Sequence, residues 1–311
     1  MPAIQIEGLV KTFGEVRALD GLTLSVEAGS VFGFLGPNGA GKTTAIRILT
    51  GLARATGGRA WVDGVEVTAG RQASRHIGYL PQDPAFYPWM TGRELLDHVG
   101  RVFGLPATER RARVKELLEL TGLTKAARRR IGGYSGGMRH RLGIAQALVN
   151  RPRVLLLDEP VSSLDPVGRK DLLELIERLR GQCTVLMSTH ILADVERVCD
   201  TVGIIDQGKL VIQAPQQELL ERYAAPVFAV ETEEECVPQL QAWAEALRSL
   251  PWVVSVAIEK QSARVLVKDL ATAKQELAAS ALRAGVILIR YELGIPSLEE
   301  VFMQLVGEGG D

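Results

Sequence analysis

VFGFLGPNGAGKTT, residues 31–44, decides the fold. An apolar run of strand character feeds directly into a glycine-rich loop, and residues 43–52 continue with helical periodicity. Strand, glycine loop and helix in that order are the context in which a phosphate is gripped: glycines let successive backbone N–H groups turn inward, and the helix presents the positive end of its dipole to the same anion. The loop residues Gly36, Pro37, Asn38, Gly39, Ala40, Gly41, Lys42, Thr43 and Thr44 are therefore assigned to a nucleotide. Lys42 is placed to reach the β- and γ-phosphates, and the Thr43 hydroxyl to coordinate Mg²⁺.

Working outward, short apolar runs at residues 3–6, 22–26, 75–79, 154–157, 184–188 and 201–206 alternate with helical segments, which predicts an α/β domain. One of these runs, RVLLLDEP at residues 153–160, ends in two carboxylates. An apolar strand holds such acids at the carboxyl edge of the sheet, where α/β proteins bind ligands. Asp158 is predicted to hold Mg²⁺ directly or through water, and Glu159 to polarise the water that attacks the γ-phosphate. From about residue 84 to 148 the pattern turns helical, as expected of an inserted helical subdomain.

Near residues 223–226 the composition breaks, dividing the chain into residues 1–222 and 223–311. The second part reads strand (227–231), helix (238–250), two strands (253–259 and 263–269), helix (272–284) and strand (286–293). That βαββαβ order predicts a small ferredoxin-like α+β domain. A terminal helix over residues 297–306 is expected as well, with Ser297 as N-cap and Glu300 completing a capping box.

At 311 residues and 46% hydrophobic composition, the chain can fill two cores, one large and one small. A formal net charge of -1 gives no bulk attraction to nucleic acid, and none is expected as a partner. Arg128, Arg129 and Arg130 form either a local basic patch or a solvated turn. No window approaches 18 consecutive apolar residues, and the first fourteen residues lack a basic start with an apolar run, so neither a membrane span nor a signal peptide is expected. Cys183, Cys199 and Cys236 are far apart and without CxxC spacing, which argues for buried free thiols rather than disulfides or zinc ligands.

Taken in order along residues 3–220, these motifs resemble those of the ATP-binding subunits of ABC transporters. Phe13 is similar to the aromatic that stacks on adenine, residues 36–44 to the Walker A loop, Gln82 in YLPQD to the Q-loop, YSGGM (residues 134–138) to the signature, LLLDEP to Walker B, SSLD (residues 162–165) to the D-loop, and His190 in STH to the switch histidine. The resemblance implies an ABC-type nucleotide-binding domain of the P-loop NTPase fold that takes ATP and Mg²⁺. Gln82 would sense Mg²⁺ and the attacking water, and His190 would hydrogen-bond the γ-phosphate. It also implies a pair of subunits packed head to tail, in which Ser135, Gly136 and Gly137 of one chain close over the ATP held by the other and Asp165 crosses the same interface. The three signature residues precede a helix, so a hydroxyl, bare amides and a helix dipole again converge on one anion.

Tyr134 and Met138 stand where the common signature has leucine and glutamine. With YLPQDPAFYPWMTGRELL and the tail PSLEEVFMQLVG, they resemble the ATPases of ABC-2-type exporters, such as the daunorubicin and sodium export systems. That resemblance implies a separate ABC-2-type membrane subunit and a cytoplasmic, peripheral position on the inner face of the membrane. Phe86, Tyr87, Pro88 and Trp89 would either grip a helix of that partner or pack locally. The rival reading is a soluble ABC ATPase acting on DNA or ribosomes. Such proteins carry long coiled coils, zinc modules or a second nucleotide domain, and this sequence has a single Walker A loop, no sustained heptads and no CxxC. For residues 223–311, regulation and dimer bracing are the readings that stand.

Overall fold

The computed structural model describes residues 2–67, 73–222 and 226–294. The elements run β1 (Pro2–Phe13), β2 (Val16–Glu27), β3 (Val31–Leu35), α1 (Lys42–Leu49), β4 (Gly57–Val62), β5 (Val65–Glu66) and β6 (Ile77–Leu80). Three helices follow, α2 (Gly92–Val102), α3 (Ala107–Leu120) and α4 (Gly136–Ala147), then β7 (Val154–Asp158), α5 (Pro166–Arg178), β8 (Thr184–Thr189), α6 (Leu192–Val198), β9 (Thr201–Asp206), β10 (Lys209–Pro215) and α7 (Gln216–Arg222). The last stretch is β11 (Val227–Thr232), α8 (Val237–Arg248), β12 (Val253–Glu259), β13 (Ser262–Val267), α9 (Leu270–Arg283) and β14 (Leu288–Gly294). The helix expected at residues 297–306 lies outside the described residues.

Two compact units result, Met1–Gln216 and Gln217–Asp311. In the first, a six-stranded sheet of order β10-β9-β3-β8-β7-β6 faces an antiparallel sheet of order β2-β1-β4-β5. Strands β9, β3, β8, β7 and β6 are parallel. A parallel strand is covered on both faces and therefore reads as a continuous apolar run, and β3 and β7 are buried along their whole lengths. Between the sheets, Ile4, Ile6 and Leu24 meet Phe32, Phe34 and Ile46 in one core. Strands β1 and β2 extend well beyond the apolar runs that mark them, because their outer residues are held by antiparallel pairing as far as Phe13 and Val16. Strands β4 and β10 carry too little apolar alternation to read as strands from the sequence; each takes its conformation from pairing with β1 and β9 respectively.

The helices between β6 and β7 are locally specified. Thr91 caps α2 by accepting from the Glu94 amide, while the Glu94 side chain accepts from the Thr91 amide, a complete capping box. In the second unit the sheet order is β12-β13-β11-β14, antiparallel throughout, as a βαββαβ ferredoxin-like chain requires. Phe228, Val230 and Val265 pack against Leu240, Trp243 and Leu277 from α8 and α9.

All three cysteines are free and buried. Burial pushes the Cys183 thiol up to about 11 and the Cys199 thiol up to about 12. Only the thiolate is nucleophilic, so at pH 8 each should react with iodoacetamide at least ~100-fold more slowly than an ordinary thiol. Mass-spectrometric labelling before and after urea unfolding checks this; fast labelling of either residue in the folded chain would contradict their placement.

Candidate functional site

The glycine loop leaves β3 at the carboxyl edge of the parallel sheet and runs into α1, which begins at Lys42. Gly41 caps that helix at φ 106, a left-handed conformation that costs other residues dearly, and a Cβ on it would sit 2.5 Å from the Ala18 carbonyl. A Cβ on Gly36 would lie 2.2 Å from the Ile205 carbonyl, so the loop is closed down onto the strands beside it. The resulting open cavity, about 330 Å³, is lined by Asn38, Gly39, Ala40, Gly41, Lys42, Thr43 and Thr44, together with Ala18, Gln82 and Glu159.

Strand order brings the acids to this loop. β7 and β8 are neighbours in register, with Asp158 opposite Ser188, and β3 lies on the other side of β8. Thr43 Oγ1 donates to Asp158 Oδ1 at 3.0 Å, and Ser188 Oγ donates to the same oxygen at 2.8 Å. Ser188 Oγ in turn accepts from the Glu159 amide at 3.0 Å. The chain turns sharply at Glu159, whose φ of 49 places a non-glycine residue in the left-handed region at a cost on the order of 1–3 kcal/mol. That turn brings the Glu159 carboxylate back over the loop, 3.5 Å from Lys42 Nζ and 2.7 Å from His190 Nδ1.

Lys42 is 5% exposed and also donates to the Gly36 and Pro37 carbonyls, at 2.6 and 3.0 Å. Burial lowers its ammonium from the usual lysine value, and the neighbouring Glu159 carboxylate opposes that shift. His190 sits half exposed just beyond β8. A carboxylate can only accept, so His190 Nδ1 carries the hydrogen of its contact with Glu159. Thr43 and Asp158 supply a hydroxyl and a carboxylate oxygen side by side, a donor set that suits Mg²⁺ arriving with substrate phosphates. Among the described residues, no group of three or more His, Cys, Asp or Glu could hold an ion by itself.

The loop residues, Gln82, Asp158, Glu159 and His190 are thus gathered at one place. Five other predicted residues, Phe13, Ser135, Gly136, Gly137 and Asp165, stand apart from the cavity lining. Ser135 is exposed and caps α4, accepting from the Met138 amide at 3.3 Å, with Gly136 and Gly137 in the first turn. Asp165 is exposed at the start of α5, and its side chain makes no capping bond to the helix. Phe13, at the end of β1, is 54% exposed, with the Lys11 ammonium 4.6 Å from its ring centre. Tyr134, by contrast, is buried, and its hydroxyl donates to the Ala126 carbonyl at 2.8 Å, so the altered first residue of the signature anchors the helical insert.

Sequence reading missed Ser188, which joins Asp158 to the Glu159 amide. No local signal marked it: the bond depends on the β7–β8 register, which sets position 188 opposite Asp158 across 30 residues. Ser188→Ala should leave Asp158 Oδ1 with one donor fewer, at a cost of about 1–3 kcal/mol measurable by urea unfolding. ATP hydrolysis should fall at least ~10-fold while nucleotide affinity stays within about twofold, since the serine orients the acids and lies off the cavity lining. Undiminished kcat would contradict that role.

The sequence matches the ABC transporter family over residues 19–162 and the C-terminal domain of DrrA1-3-like ATP-binding proteins over residues 215–306. An uncharacterized ABC transporter ATP-binding protein of Bacillus subtilis, YxlF, is 39% identical across 97% of this chain and 99% of its own. The daunorubicin resistance ATP-binding protein DrrA2 of Streptomyces coeruleorubidus is 38% identical across 98% of this chain and 95% of its own. Among solved structures, the ATP-binding subunit of an ABC transporter superposes with a TM-score of 0.64 at 27% identity, covering 71% of this chain and 93% of that one.

Proposed function

From the premise that the chain belongs to the ABC transporter ATP-binding proteins, with a DrrA-like C-terminal domain, we propose that it hydrolyses ATP as one of two subunits packed head to tail, driving export through a separate ABC-2-type membrane subunit. In this reading residues 1–222 are the ATP-binding domain and 223–311 an accessory domain. The observation that carries it is the separation of two phosphate grips. The loop of residues 36–44 lines one cavity with Glu159, whereas the amides behind Ser135 open to solvent elsewhere, at the N-terminus of α4. A helix N-terminus with a serine hydroxyl and two glycines is a ready anion site, and a second chain's γ-phosphate is the anion it is assigned. The exposed Asp165 supports the same contact.

Within the loop, backbone amides and Lys42 hold the β- and γ-phosphates. Mg²⁺, when bound through Thr43 and Asp158, would neutralise charge developing on the phosphate oxygens. Glu159 accepts a hydrogen bond from the attacking water, and His190, fixed by that same carboxylate, turns Nε2 toward the γ-phosphate. Gln82 lines the cavity at the junction with the helical insert and reports the γ-phosphate to it. Phe13 offers its exposed face to adenine.

No helix of the described residues is long and apolar enough to cross a membrane, and the path through the bilayer is assigned to the partner. The docking point is the insert: Tyr87 and Trp89, 55% and 65% exposed with ring centres 5.1 Å apart, form an aromatic edge suited to a short partner helix. In this reading the chain sits at the inner face of the membrane. The daunorubicin resistance relative supports export as the direction.

Glu159→Gln should keep ATP binding and closure but abolish turnover. Light scattering in ATP and Mg²⁺ is expected to register a dimer that accumulates as phosphate release disappears. A monomer with undiminished turnover would refute the scheme.

A further inference from the structure

One buried titratable side chain beside the site has no part in the chemistry above. His140 is 4% exposed and lies on α4, one turn beyond the Ser135 cap. Its Nδ1 is 3.1 Å from the Gly136 carbonyl and its Nε2 3.2 Å from the Gln82 carbonyl. Both partners are backbone acceptors, one in the first turn of the signature helix and the other in the loop that follows β6. A neutral imidazole donates to one of them and an imidazolium to both. A side chain chosen only to fill space would bring no polar atoms to this position.

The contact continues a seam along one face of α4. A Cβ on Gly143 would sit 2.3 Å from Leu80 Cδ1, and a Cβ on Gly78 would sit 2.3 Å from the Ala147 carbonyl. Residues 140, 143 and 147 are spaced as one helical face, and they meet β6 and the loop after it in order: 147 at Gly78, 143 at Leu80, 140 at Gln82. At Gly78 the helix backbone itself leaves no room for a larger residue, and at Gly143 the buried Leu80 side chain fills the space a Cβ would need. At the end of this seam the glycine contact gives way to a hydrogen bond, at the residue whose side chain lines the nucleotide cavity.

We propose that His140 is a positioning residue that fastens the Gln82 backbone to the first turn of α4. Through it, the glutamine facing one ATP and the Ser135–Gly136–Gly137 turn facing the partner's ATP move as one body. The assignment of that turn to a second ATP rests on the reading given under Proposed function; the fastening itself is a property of the single chain. Nucleotide bound at the loop would therefore steady the signature turn even before a second chain arrives.

The test is amide hydrogen exchange of residues 136–142, measured on the dilute full chain with and without AMP-PNP and Mg²⁺, with light scattering confirming one chain per particle. The native chain should show slower exchange in this segment when nucleotide is bound. His140→Leu should lose that slowing while keeping its affinity for AMP-PNP within about twofold, and kcat for ATP should fall with it. His140→Gln, which keeps an N–H donor, should restore the slowing in part, and it serves alone if the leucine variant does not fold. Slowing that persists unchanged in His140→Leu, or that is absent from the native chain, would overturn the proposal. Because no second chain takes part, a failure of the paired-site reading leaves this result untouched and would appear instead in the dimer measurement.

Discussion

Asp158 and Glu159, at the end of a buried strand, are the constraint on which the rest of this site depends. Two adjacent carboxylates, 2% and 6% exposed, need partners, and two neighbouring elements supply two each. Helix α1 brings Thr43 and Lys42, and β8 brings Ser188 and, just past its end, His190. The order β3-β8-β7 in the sheet is what allows this, since it sets the loop after β3 and the end of β8 beside the acids. The strained φ of Glu159 follows from the same demand: an extended continuation of β7 would carry its carboxylate away from Lys42. Strain of this kind persists where surrounding contacts overdetermine it, and here the Ser188 hydroxyl and carbonyl both hold the Glu159 amide.

What the sequence discloses is what local chemistry determines. The glycine loop, the fully apolar strands β3 and β7 and the βαββαβ order of the last unit are written in contiguous residues, and the α/β core with its ferredoxin-like companion follows from them. The site is legible to the same depth: the loop, Gln82, Asp158, Glu159 and His190 can each be named from their own neighbours in the chain. What is not legible depends on partners far away in sequence. Ser188 reaches Asp158 across 30 residues and His140 reaches Gln82 across 58, and nothing within STH or MRH announces either bond. The Glu159 conformation is hidden for the same reason, because glutamate has no preference for positive φ. Strands β4 and β10 escape notice because pairing, more than composition, makes them strands.

In the proposed reading the loop of residues 36–44 and the turn at Ser135 grip two different phosphates, and they are built on different supports. The loop of residues 36–44 is fixed between sheet and helix by close backbone contacts, so its geometry is set before nucleotide arrives. The signature turn rides on α4, which is joined to β6 along the Gly78, Leu80 and Gln82 seam and to the insert by Tyr134. A rigid cradle, and a turn whose helix is hydrogen-bonded to the Gln82 backbone, would suit the proposed site completed by closure.

The most direct test of the shared site is complementation between two inactive chains. Lys42→Ala disables the loop and Ser135→Arg the signature turn, and each variant alone should hydrolyse almost no ATP. In a mixed pair, the intact loop of one chain meets the intact turn of the other, leaving one complete site. Phosphate release should therefore reappear on mixing and rise with the fraction of mixed pairs. Activity that never exceeds the sum of the separate variants, at concentrations where light scattering registers pairs, would contradict a site shared between chains.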